Sequence, residues 1–179
     1  MEKQTLINKL KPFTGNKRTL DTSSLWLTEI RHENGYLYAS NREISIRAKG
    51  EPETETIPIG KRTKPLSSFY ENIEGEFLGT ITKKQLLDAV AISKASGEWE
   101  DDDPFRLNLI EINAIYFDPK YIKKISTLGN LFQVYTCATF PLINNALFLK
   151  VGVFEVLLLR RITDHIEKVE IDNKITITK

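Results

Sequence analysis

Side chains that do chemistry are scarce in this chain. Among 179 residues there is one cysteine, Cys137, and there are two histidines, His32 and His165. A lone cysteine cannot close an internal disulfide, and no metal-binding spacing surrounds this one. It lies in an alternating apolar run, so a buried structural thiol in a reducing, cytoplasmic compartment is expected. The histidines are far apart and outside any metal or general-base motif; His32, beside a turn, is expected to be exposed. The Gly-x-Ser-x-Gly elbow and the three spaced glycines of a nucleotide loop are absent. Gly60-Lys61 fails as a phosphate loop, because Glu55 stands at the required glycine and Arg62 at the Ser/Thr position. The acidic run Glu98 to Asp103 lacks the spacing of a calcium loop and reads as a solvated turn. No catalytic residue, metal or cofactor is expected, and an enzyme is the disfavoured class. Charge of one sign is lacking too: 25 basic and 24 acidic residues leave a net charge of +1. Binding to nucleic acid would therefore need a local patch. No basic-then-apolar leader opens the sequence. The most apolar stretch, Ala146 to Leu159, is broken by Lys150, Gly152 and Glu155, which argues against a membrane span.

What is present is pattern. A chain of this length buries roughly 70% of its unfolded surface, enough for one domain or two half-domains sharing a sheet. Leu6, Ile7, Leu10 and Phe13 recur at helical spacing, and Pro12 limits that helix. A strand over Leu25 to Ile30 is expected to turn at Asn34-Gly35, whose residues tolerate positive φ, and to return through Tyr36 to Ser40. Ile44 to Ala48 supplies the next strand, and Thr56 to Ile59 a short edge strand limited by Pro58. Lys61 to Gly75 reads as a loop and Glu76 to Ile81 as extended. Thr82 caps a helix through Ser93, with Leu86, Leu87, Val90 and Ala91 predicted on its buried face.

A strand over Leu109 to Phe117 then runs into a third helix, Pro119 to Leu128. Asp118 is its cap and Pro119 its first residue, Tyr121, Ile122, Ile125 and Leu128 are its apolar face, and Gly129 is its stop. Strands follow at Phe132 to Thr136, Ala146 to Lys150 and Phe154 to Leu159. Val169, Ile171, Ile175 and Ile177 bracket Asp172-Asn173-Lys174 as a hairpin. Tight turns between neighbouring strands require antiparallel pairing. The class is therefore α+β, a mainly antiparallel sheet with three amphipathic helices on one face. Trp26, Tyr36 and Tyr38 are expected to pack this sheet rather than to stack bases, and Leu157, Leu158 and Leu159 to lie on a strand buried on both faces.

Three stretches resemble the bacterial β sliding clamp, the processivity subunit of DNA polymerase III. They are Asn34-Gly-Tyr-Leu-Tyr-Ala-Ser-Asn-Arg-Glu-Ile-Ser-Ile; Phe69-Tyr-Glu-Asn-Ile through Gln85-Leu-Leu-Asp-Ala; and Ala114-Ile-Tyr-Phe-Asp-Pro-Lys-Tyr-Ile-Lys-Lys-Ile with the later Phe154-Glu-Val-Leu-Leu-Leu-Arg-Arg-Ile. The resemblance implies a DNA-clamp-like domain over residues 1–163, built as two half-modules with a break near 60–80, and a C-terminal β-hairpin tail over 164–179. It implies a non-catalytic protein that associates with duplex DNA, tethers a DNA polymerase or other replication proteins, and works as a homo-oligomer. The alternative is an interaction or scaffold protein that keeps the fold without encircling DNA.

In the family, cationic helices face the duplex with diffuse charge rather than base-specific contacts, as sliding requires. The corresponding candidates here are Lys3, Lys9 and Lys11 with Lys17 and Arg18 after them; Lys83 and Lys84, with Lys94 further along that helix; and Lys120, Lys123 and Lys124. The bland reading of each is a lysine solvating an exposed helix face. No partner-binding pocket is assigned.

Overall fold

The computed structural model describes residues 3–16, 27–41, 43–50, 65–95, 109–138, 146–160 and 173–179. The expectations for Lys17, Arg18, Trp26, Thr56 to Ile59, the acidic run at 98–103, His165 and the first arm of the tail hairpin lie outside these residues.

The first helix, α1 (Lys3–Leu10), buries Leu6 and Leu10. At Pro12 the chain tightens into a 3-10 turn, Lys11–Phe13, that drives Phe13 into the core. Of the strand expected at Leu25 to Ile30, the part from Leu27 on is corrected: Leu27 and Thr28 lie in a helical turn, and β1 begins only at Arg31 (Arg31–Glu33). The Asn34-Gly35 turn does form, both residues at positive φ (50° and 77°), and closes β1 onto β2 (Tyr36–Ser40). That register puts His32 opposite Leu37, which faces the core, so His32 is buried and not exposed as expected. β3 (Ile44–Lys49) completes a three-stranded meander.

After a 3-10 turn at Leu66–Tyr70, β4 (Glu74–Thr82) passes directly into α2 (Lys83–Ala95). Thr82 and Gln85 cap this helix reciprocally: the Gln85 amide donates to Thr82 Oγ1 (3.2 Å), and the Thr82 amide donates to Gln85 Oε1 (2.8 Å). Its buried face is Leu86, Ala89, Val90 and Ser93, while Leu87 and Ala91 are exposed. The stripe is thus rotated from the predicted one, because α2 packs on α3 and against β4. The strand expected across Leu109 to Phe117 is two strands. Asn113 and Ala114 both take positive φ (52° and 59°) and fold β5 (Ile110–Ile112) onto β6 (Ile115–Phe117) as a two-residue hairpin.

Asp118 then caps α3 (Pro119–Ile125), accepting the Lys120 amide at 2.8 Å, and Tyr121, Ile122, Ile125 and Leu128 are buried as predicted. β7 (Leu131–Cys137), β8 (Ala146–Val151) and β9 (Phe154–Leu159) form a second meander. β10 (Lys174–Ile175) pairs in parallel with β5, so the described arm of the expected tail hairpin finds its neighbour in an earlier strand.

The main sheet has the order β1-β2-β3-β9-β8-β7-β4, antiparallel throughout, and a smaller one has the order β10-β5-β6. Two helix-plus-meander units, α1-β1-β2-β3 and α3-β7-β8-β9, meet at their last strands, with Ile46 opposite Val156 at the centre of the join. Strand side chains alternate between faces. Ile44, Ile46, Phe154, Val156, Leu147, Leu149 and Val134 point to the face shared with α1, α2 and α3, in one continuous core. The mainly antiparallel α+β class, with its three helices on one face, is what the sequence predicts.

The opposite face has a smaller core of its own. Leu66, Tyr70 and Ile73 cover Tyr38, Ala146, Phe148 and Leu157, with Tyr36, Phe69, Tyr135, Cys137 and Leu159 packed around them. Tyr36 and Tyr38 therefore pack the sheet as expected, and β9 is buried on both faces, with Leu158 in the larger core, Leu157 in the smaller and Leu159 half-buried beside it. Cys137 is half-buried here rather than enclosed in the core. The Arg47 guanidinium lies 4.4 Å from the ring centres of both Tyr36 and Tyr70 and pairs with Glu155 at 2.5 Å.

The Tyr70 hydroxyl donates to Ser45 Oγ at 3.1 Å, and burial raises its pKa, a shift the Ser45 hydrogen bond only partly offsets. Burial raises Tyr38 as well. The folded state therefore holds these protons to higher pH than the unfolded chain. Their contribution is fully present below the ordinary phenol value of 10.0 and is lost as pH rises above it. Urea midpoints should hold steady up to about pH 9.5 and fall beyond about pH 10. In Tyr70→Phe, which gives up a hydrogen bond of about 1 kcal/mol, that alkaline fall should be shallower; an unchanged slope would refute the assignment.

Candidate nucleic-acid interface

Charge is unevenly divided along the chain. The segments α1, α2 and α3 hold two, three and three lysines against a single acid, Asp88. The helices thus carry +7 of a total charge of +1, and the remainder of the chain carries −6. The lysines sit on helices because each helix has one apolar stripe fixed in the core, which leaves the other faces to water.

The two halves of the candidate set are held differently. Lys83 and Lys84 on α2, and Lys120, Lys123 and Lys124 on α3, lie on helices packed against each other. Lys3, Lys9 and Lys11 belong to α1 and the turn after it, which pack on β2 and β3. Lys9 lays its ammonium 5.7 Å from the centre of the Phe154 ring and is half-buried. Lys3, Lys11, Lys84, Lys120 and Lys123 are exposed. Among the described residues Lys11, Lys83 and Lys123 make no ion pair.

Two candidates are partly neutralised. Lys84 pairs with Asp88 one turn on, at 2.7 Å and in full contact with water, so the pair contributes little and yields readily. Lys120 pairs with the buried carboxylate of Asp118 at 2.9 Å, the same group that caps α3. α3 gathers the most charge in the least space. Lys120 and Lys124 lie one turn apart and approach the Tyr121 ring at 5.0 and 5.6 Å. Burial lowers the Lys124 pKa, and repulsion from Lys120 adds to that, against a smaller pull from Asp118. An anion approaching α3 would relieve that repulsion. Lys123 and Lys124 also occupy the last turn, where the helix dipole favours positive charge.

Two features of this region escape a reading by sequence alone. Lys174 is an exposed lysine of β10, a strand next to α2, and pairs with Glu111 of β5 at 3.3 Å. The exposed side of α2 is also not purely polar, since Leu87 and Ile92 are on it; the predicted stripe had put Leu87 inside. Among the described residues, no helix is long and apolar enough to cross a membrane, and no three His, Cys, Asp or Glu side chains converge to hold a metal ion.

Compared by sequence, the chain matches no protein-family model and no curated protein. Compared by structure, it is similar to DNA polymerase III β chains. It matches that of Streptococcus pneumoniae with a TM-score of 0.53 and 10% identity over 88% of this chain and 62% of the other. The Streptococcus pyogenes β subunit matches at 0.54 and 10% over 93% and 65%, and the Thermotoga maritima β subunit at 0.52 and 12% over 90% and 62%. The fold is therefore the sliding-clamp fold, and the chain spans less than two thirds of the length of these structures.

Proposed function

We propose that this chain is a non-catalytic, sliding-clamp-like protein that associates with duplex DNA through the lysines of its three helices and tethers replication proteins. The observation that carries the reading is the segregation of charge: +7 on three helices that share one face of an antiparallel sheet, in a chain whose total is +1. Flexible ammonium groups attract phosphates without reading bases, which is what movement along a duplex requires. The fold supports the same reading, as does the pairing of two helix-plus-meander units, which we take as half-modules of one clamp-like domain. With β1 and β6 as sheet edges among the described residues, further pairing between copies would extend the platform. A homo-oligomer is the form in which a chain of this length would surround a duplex.

A second reading is a scaffold protein that keeps the fold and does not encircle DNA. The exposed Leu87 and Ile92 on α2 and the carboxylate partners of Lys84 and Lys120 favour it. The two are separated by the native mass from light scattering, together with retention on closed circular and linearised duplex. A topological clamp is a multimer that stays on circles and runs off linear ends. Equal retention on both forms, with equal salt dependence, would remove encirclement, and no retention on either would leave the scaffold.

A further inference from the structure

We propose that residues 173–179 occupy a strand-accepting slot between the two sheets, and that the same slot takes the corresponding segment of a second copy of this chain. The inference stands apart from DNA binding. It rests on how the segment is held. On one side Lys174 and Ile175 pair in parallel with Glu111 and Ile112 of β5, and the Glu111 amide donates to the Asn173 carbonyl at 2.9 Å. On the other side Thr178 and Thr80 of β4 exchange both backbone hydrogen bonds, at 2.7 and 2.9 Å. One short segment thus bridges an edge of the smaller sheet and the outer edge of the main one.

α2 forms the floor of the slot. Gln85 Nε2 donates to the Thr176 carbonyl at 2.9 Å, and Asn173 Nδ2 donates to the Ala89 carbonyl at 2.8 Å. Gly79 of β4 forms the wall. At its φ of +138° it lets the Thr178 backbone come so close that a Cβ would collide with the Thr178 carbonyl oxygen and with Ile177 Cγ2. Only Asn173 and Ile175 are buried, and Ile177 is half-buried.

Most of these contacts run through the segment's backbone, and the recognition elements are one asparagine and two alternating isoleucines. A slot that completes two open strand edges and reads so short a pattern accepts any strand that carries it. The best match available is the same segment from another molecule, held by the same bonds. Residues 160–172 link it to the end of β9, and these thirteen residues span at most roughly 45 Å, a covalent tether long enough to permit reciprocal exchange between copies. The intramolecular segment competes at an effective concentration on the order of millimolar. Exchange is therefore favoured by refolding at high protein concentration.

The test uses a labelled peptide of sequence Asn173 to Lys179 and two acceptors, the chain ending at Asp172 and the full chain carrying Ile175→Asp. Fluorescence anisotropy should show both binding the peptide at least about tenfold more tightly than the unaltered full chain. The Ile175→Asp peptide should bind neither. Equal binding by all acceptors, no binding by an acceptor whose circular dichroism remains native, or unfolding of both acceptors would each overturn the slot. Light scattering after refolding the full chain at high concentration should find a dimer that the truncated chain does not form. A monomer at every concentration, with the peptide still bound, would overturn the second copy as occupant.

Discussion

Replacing Lys83, Lys84, Lys120, Lys123 and Lys124 with alanine should abolish retention on duplex DNA at physiological salt while leaving the thermal midpoint nearly unchanged. The reasoning is electrostatic. Each phosphate contact contributes a slope of about 0.9 to the fall of log affinity with log salt, so losing five lowers the slope by about 4.5. Over a fourfold rise in salt that is a difference on the order of several hundred-fold. The fold should tolerate the change. The Lys84–Asp88 pair is exposed and screened by water, so losing it changes stability little, while Asp118 keeps its capping bond to the Lys120 amide whatever the side chain. Lys49→Ala is the control, since Lys49 is an exposed lysine at the end of β3 rather than on a helix. Salt titrations of the two variants and the unaltered protein decide the matter. Equal slopes for all three would show that the helices do not face the duplex.

The largest expected loss of stability is at Phe154. Its ring is 1% exposed, it pairs across the strand join with Ala48 and across the hairpin with Val151, and Lys9 of α1 rests over it. Ala48 is too small to fill the space a truncation would leave. Phe154→Ala should therefore cost about 3–5 kcal/mol and weaken the hold of the sheet on α1 without detaching it. Urea unfolding should show a lower midpoint with an unchanged m-value. A loss below about 1 kcal/mol would mean that α1 is not anchored through this ring.

Much of this architecture is legible in the residues because local and long-range signals agree. Asn34-Gly35 fixes a hairpin, Asp118-Pro119 starts a helix, and the apolar run from Phe154 to Leu159 marks a strand, all three as predicted. The failures have identifiable causes. Asn113-Ala114 turns the chain without glycine, so an apolar run that reads as one strand is two. The stripe on α2 is rotated because its apolar residues recur at more than one helical spacing, and packing on α3 selects Ala89 and Ser93 over Leu87 and Ala91. His32 reads as a turn residue until the ladder shows that it faces the core. Of the candidate interface, the lysines of α2 and α3 are readable as a group because each follows a capped apolar stripe. That these two helices lie together, and that Lys120 doubles as the partner of its own helix cap, depends on contacts between distant parts of the chain.

The join between β3 and β9 sets a hierarchy of strength for any assembly of this protein. That seam is formed within one polypeptide, so dilution cannot separate its two sides, whereas seams between copies weaken as the protein becomes scarce. A closed arrangement of several chains would accordingly part first where one molecule ends and the next begins. The internal seam between β3 and β9 would stay shut.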